Sequence, residues 1–158
     1  MDNLNTIYKY CLDKYLNCDI LYVKELTERR LIMKKQLSFP QGFWWGAASS
    51  GPQTEGQFDK AHENVMDYWF RTDPEDFFNG VGPDVASDFY HTYPEDFRLM
   101  KEIGFNSFRT SIQWSRLIKD FETGEADPKA VEFYNAVIEE AKKNDIELVL
   151  NLHHFDLP

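Results

Sequence analysis

The chain has 158 residues, of which 42% are hydrophobic, 28% charged and 16% aromatic, a composition that suits one folded domain and leaves no run of about 18 apolar residues able to span a bilayer. In residues 1–32 the acids Asp2, Asp13, Asp19, Glu25 and Glu28 cancel the bases Lys9, Lys14, Lys24, Arg29 and Arg30, so the formal net charge of −10 lies in residues 33–158. An acidic surface of this kind argues against nucleic acid or an anionic membrane as partner.

The opening Met1-Asp2-Asn3-Leu4-Asn5 has neither a basic n-region nor an apolar h-region, so a secretory signal is not expected and the cytoplasm is the default location. Cys11 and Cys18 lack the partners a zinc site requires and read as free thiols, and no cofactor is expected. Residues 1–32 show a poor helical period through Ile7, Leu12, Tyr15 and Leu16. They read either as a helical arm or as an upstream reading-frame extension of a chain that starts at Met33. Mass spectrometry of the native amino terminus separates the two.

From residue 43 the pattern alternates strand and helix. Phe43–Ala48 reads as a short apolar strand, followed by a long polar loop that includes the solvated Asp73-Pro74-Glu75-Asp76. Ala86–Tyr93 and Pro94–Ile103 read as two helical pieces carrying Phe89, Tyr93, Phe97, Met100 and Ile103 on one face. Pro94 is expected at the first position of the second piece, with Gly104 as the stop. Ser107–Ile112 is the second strand and leads to a loop ending near Ala126. Asp127 then caps a helix from Pro128 to about Lys143, with the stripe Val131, Tyr134, Ile138 and Ala141 widened by Phe133 and Val137. Ile146–Leu152 is the third strand. Strands joined by helices imply right-handed crossovers and a parallel sheet.

Three parallel strands cannot close a barrel, and an open sheet of three would leave edges and helix faces without partners. Eight units of this length would need about 400 residues, in the range of the larger barrels. The expected fold is therefore α/β, the opening third of a larger parallel barrel.

Arg109 sits inside the second strand. A guanidinium in a barrel interior needs an anion, because a buried charge stripped of its partner costs about 3–5 kcal/mol. Its partner is either an acid on the preceding helix, Asp96 or Glu102, or an acid on a later strand.

Four blocks in order carry a resemblance: Phe39-Pro40-Gln41-Gly42-Phe43-Trp44-Trp45-Gly46-Ala47-Ala48-Ser49-Ser50-Gly51-Pro52-Gln53-Thr54-Glu55-Gly56, Ala86-Ser87-Asp88-Phe89-Tyr90-His91, Phe108-Arg109-Thr110-Ser111-Ile112-Gln113-Trp114-Ser115-Arg116, and Leu152-His153-His154-Phe155-Asp156-Leu157-Pro158. From Met33 onward the chain resembles glycoside hydrolase family one. The resemblance implies the amino-terminal part, about three βα units, of a (β/α)8 TIM barrel that hydrolyses β-glycosides with retention. Two glutamates about 5–5.5 Å apart carry that chemistry. The family's Asn-Glu-Pro and Glu-Asn-Gly type motifs do not occur in these 158 residues, so neither catalytic glutamate is assigned and the chain alone is expected to be inactive.

The resemblance carries the sugar-binding role to Gln53, His154 and Phe155, the last in an aromatic position where many relatives have tryptophan. It makes Arg109 the residue that positions the nucleophilic glutamate, which favours an acid on a later strand. The details of the first and last blocks look most like the bacterial branch acting on 6-phospho-β-glucosides and 6-phospho-β-galactosides, with plain β-glucosidase as the other reading. The implied partner is a small β-glycoside, and the remaining barrel strands are needed for a complete fold.

Plainer roles stand beside these. Gln53 could bond nearby backbone as a loop amide, His154 could be a satisfied core histidine and Phe155 could be core. Trp44 and Trp45 read as core and barrel-end packing, and His62 and His91 lack metal-ligand spacing. The alternative function is a non-catalytic remnant, a weak sugar-binding or interaction module.

Overall fold

In the computed structural model, residues 38–158 are described. The expected amino-terminal arm, both cysteines and Met33 lie outside them. Residues 38–41 are exposed, and Gly42–Pro158 forms a compact unit.

That unit is built on a parallel sheet of three strands, β1 (Gly46–Ala48), β2 (Ser107–Ser111) and β5 (Glu147–Asn151), in the order β1-β2-β5. Ala48 pairs with Arg109 and Arg109 with Val149, which fixes the register. The described residues contain no closed barrel, and none of their helices is long and apolar enough to cross a membrane.

Two helices cover one face of the sheet, α3 (Phe89–Glu102) and α5 (Pro128–Lys143). Phe89 and Phe97 from α3, Phe108 from β2, Phe133, Tyr134, Val137 and Ala141 from α5, and Ile146 form the core between them. Because side chains alternate across a strand, Phe108 in this layer puts Arg109 on the opposite face. Within α5 the buried row is Phe133, Val137 and Ala141, and Val131 of the expected stripe is exposed. Ile103 of the expected α3 face is also exposed.

Asp127 caps α5 as expected, its Oδ1 accepting from Lys129 N at 2.8 Å and Ala130 N at 3.2 Å, with Pro128 first in the helix. Asp127→Ala should weaken this end by about 1 kcal/mol. The check is amide exchange at Lys129 and Ala130, which should quicken about fivefold, while α3 amides stay unchanged.

The two pieces expected around Pro94 are a single helix. Ala86 and Asp88 have φ of 54° and 58°, left-handed values that prevent a start before Phe89. Pro94 lies in the second turn, where it removes only the bond to the Tyr90 carbonyl and the helix continues through it. Gly104, φ 89°, stops α3 as expected.

The loops hold more structure than the sequence suggested. Between β1 and α3 lie α1 (Gly51–Thr54), α2 (Val65–Thr72) and short turns at Pro74–Asp76 and Phe78–Gly80. After β2, α4 (Trp114–Leu117) leads into a hairpin of β3 (Ile118–Asp120) and β4 (Glu125–Ala126). Trp44 and Trp45 sit at the amino-terminal end of the sheet but are 59% and 46% exposed, so they are not core in these residues.

Candidate active-site lip at the carboxyl ends of the strands

Parallel strands deliver their following loops to one end of the sheet, and the expected site residues arrive there together. Gln53 follows β1, Arg109 stands on β2 and His154 follows β5. The Arg109 guanidinium spans two of these loops. Its Nη1 donates to the Ser49 carbonyl at 2.7 Å and its Nη2 lies 3.2 Å from His154 Nδ1. Arginine has donors only, so His154 Nδ1 is the acceptor in this contact. Asn151 Nδ2 approaches the same nitrogen at 3.5 Å.

Neither acid of the preceding helix pairs with Arg109. Asp96 accepts from Thr92 Oγ1 at 2.8 Å and Glu102 pairs with Arg98, both on the helix side of the sheet. The half-buried guanidinium has no carboxylate partner among the described residues.

Gln53 is exposed on α1, and its Oε1 accepts from the buried Ser50 Oγ at 2.7 Å. It bonds a side chain rather than backbone, and its amide NH2 is turned away from that bond. The α1 turn is fastened to β2 by Gly51 N–H donating to Ser111 Oγ at 2.8 Å. Gly51 is dictated by contact here, since a Cβ would come within 2.5 Å of Gln113 Cγ.

His154 is half-buried rather than a core histidine. Phe155 is 69% exposed, its ring edge-on to the imidazole with centroids 5.1 Å apart, and its φ is 58°. The plain core reading of Phe155 therefore fails for these residues. His62 Nε2 bonds the Lys119 carbonyl and His91 Nδ1 bonds Asp88, both away from this lip.

Beneath the lip lies a buried polar network that residue-by-residue reading missed. Glu55 and Arg116 are each 1% exposed and paired through Nε and Oε2 at 2.9 Å. Gln113 Nε2 donates to Glu55 at 2.8 Å, and the Tyr134 hydroxyl donates to it at 3.2 Å while accepting from Gln113 N–H at 2.8 Å. Burial pushes the Glu55 carboxyl above its usual range, against the opposing pull of Arg116, Gln113 and Tyr134. Gln113 Oε1 accepts from Lys60 Nζ and Asn64 Nδ2, each at 3.1 Å, and Lys60 pairs with the buried Asp67. Asn64 caps α2 through Met66 N and Asp67 N. The available signal was Glu55 inside the glycine-containing first motif block and Gln113 and Arg116 at the end of the third.

The model of glycosyl hydrolase family 1 matches residues 35–158. The 6-phospho-beta-glucosidase GmuD of Bacillus subtilis is 52% identical over 126 residues, covering 78% of this chain and 27% of that protein. The human cytosolic beta-glucosidase is 36% identical over 77% of this chain and 26% of its own length. Among solved structures, the family 1 β-glucosidase of Thermotoga maritima superposes with a TM-score of 0.69 at 34% identity, over 76% of this chain and 27% of that one. The chain thus spans about a quarter of the length of the relatives it matches, and its strands and helices are the opening units of their TIM barrel. The family match over residues 35–158 and these identities show that the chain belongs to glycosyl hydrolase family 1.

Proposed function

We propose that this chain is the amino-terminal part of a cytoplasmic retaining β-glycosidase that acts on 6-phospho-β-glucosides in carbohydrate breakdown, and that it supplies part of the sugar-binding lip without hydrolysing alone. The observation that carries this reading is the meeting of Arg109 and His154 at 3.2 Å, on the strand end where Gln53 also emerges. In this reading Gln53 and His154 hold the sugar hydroxyls of the glycone and Phe155 forms an apolar wall beside them. Arg109 orients the nucleophilic carboxylate supplied by a later strand. The identity to the Bacillus 6-phospho-beta-glucosidase, 52% against 36% to the human β-glucosidase, favours the phosphorylated substrate.

The test is an assay with para-nitrophenyl β-glucoside and its 6-phosphate. The 158-residue chain should release no nitrophenol above background. The polypeptide translated onward through an Asn-Glu-Pro and a second glutamate motif should hydrolyse, with higher kcat/KM for the phosphorylated substrate. Hydrolysis by the 158 residues alone would overturn the assignment of both catalytic glutamates to later strands. Preference for the plain glucoside would remove the phosphate.

A further inference from the structure

We propose that Asp156 is a positioning residue that holds the His154–Phe155 turn in its binding geometry, an inference that rests on the reading of His154 as a sugar ligand. The turn is strained where it meets solvent. Phe155 has φ of 58°, a left-handed value that a bulky residue adopts only when its surroundings impose it. Its ring is 69% exposed, so among the described residues packing of the phenyl group does not impose it. The constraint these residues supply comes from either side of the turn.

On the upstream side Trp114 Nε1 donates to the Leu152 carbonyl at 2.5 Å, and Arg109 holds His154. On the downstream side stands Asp156, 1% exposed, with both carboxylate oxygens engaged. Oδ1 accepts from Ser115 Oγ at 2.8 Å and Asn64 Nδ2 at 3.1 Å, and Oδ2 accepts from Ser115 N–H at 3.3 Å. The next residue is fastened to the same loop, with Val65 N–H donating to the Leu157 carbonyl at 2.8 Å. Buried and fully engaged, Asp156 acts through the turn rather than on a ligand.

The same bonds run toward Gln53. Asn64 also donates to Gln113, Gln113 donates to Glu55, and Glu55 follows Gln53 by two residues. One hydrogen-bonded chain therefore links the turns that carry the two hydroxyl-binding side chains, and Asp156 is its anchor at the His154 end.

The experiment uses the complete hydrolytic polypeptide, with para-nitrophenyl β-glucoside 6-phosphate as probe and thermal unfolding measured on the same samples. Asp156→Asn keeps the shape but turns an acceptor into an NH2 facing donors. It should lower kcat/KM by roughly 10- to 100-fold per folded molecule, because displacement of a binding group by about an ångström has effects of that order. Combined with His154→Ala it should lower kcat/KM little further, since both remove the same contact. Ser115→Ala, which deletes one bond to Asp156, should give a smaller loss of the same sign, and it reads the proposal if Asp156→Asn fails to fold. A lowered melting temperature with unchanged kcat/KM in the folded fraction would make Asp156 merely structural and overturn the proposal. A normal kcat/KM for Asp156→Asn beside a strong His154→Ala defect overturns the positioning role alone. A normal His154→Ala overturns it together with the sugar-binding reading beneath it.

Discussion

In the complete polypeptide, Glu55→Gln should lower stability by about 3–5 kcal/mol, seen as a lower urea midpoint, with a deficit somewhat smaller at about pH 8 than at about pH 5, because the raised Glu55 carboxyl favours the wild-type fold most at low pH and glutamine does not titrate. The substitution keeps the shape of the side chain but strands Arg116, which is 1% exposed and cannot shed its proton. The guanidinium is held by Glu55 Oε2 at 2.9 Å and by the carbonyls of Gly56 and Phe58, and lies 4.5 Å from the Tyr90 ring centroid. Dipoles and an aromatic face remain in the variant, but the only carboxylate hydrogen-bonded to Arg116 among the described residues does not.

Arg116→Met strands the other partner, and this one can respond to pH. Burial already raises the Glu55 carboxyl above its ordinary 4.5, with the Arg116 charge as the largest opposing influence. Without Arg116 the folded pKa rises further. The native state then keeps a proton that the unfolded chain loses above about pH 4.5, so stability is fully present below that value and falls as pH rises through the folded pKa. Arg116→Met should therefore be milder than Glu55→Gln at about pH 5 and lose ground toward about pH 8. Parallel deficits for the two variants at both pH values would show that Arg116 does not govern the ionisation of Glu55. The Tyr134 hydroxyl, also pushed well up by burial and by Glu55, remains a donor throughout.

The fold was legible where local chemistry agreed with tertiary need. Asp127-Pro128 and Gly104 mark helix ends by rules that hold in any context, and both acted as expected. Pro94 misled because position decides its effect, and the true start, at Phe89, was set by left-handed backbone at Asp88, six residues before Pro94. The cap of α2 went unread because Asn64 and Asp67 sit in a run without apolar period, and the capping box appears only once both side chains reach the backbone. Tyr134 belongs to the apolar stripe by spacing, but its hydroxyl serves Glu55, 79 residues away in sequence. The lip itself was visible as motif blocks. The network beneath it joins four separate segments and has no one-dimensional signature.

Arg109→Met in the complete polypeptide should lower kcat by roughly 100- to 1000-fold while leaving KM within a few-fold, and Arg109→Lys should recover only a minor part of the loss. The guanidinium uses one arm on the Ser49 carbonyl and one on His154, so its fork both joins the first and third strand loops and keeps donors for a carboxylate. In the proposed function this half-buried arginine, without a carboxylate among the described residues, meets one from a later strand, and a fixed donor pair on a reacting carboxylate is an interaction of about 2.7–4 kcal/mol in the transition state. Lysine offers a compact charge and cannot span both loops in the plane of the fork. Gln53→Ala, which in the proposed function removes a ligand to the sugar rather than to the nucleophile, should raise KM as well as lower kcat. Measuring both parameters for the two variants separates the roles. A pure KM effect for Arg109→Met would move this arginine from the nucleophile to the sugar, as a third ligand beside Gln53 and His154.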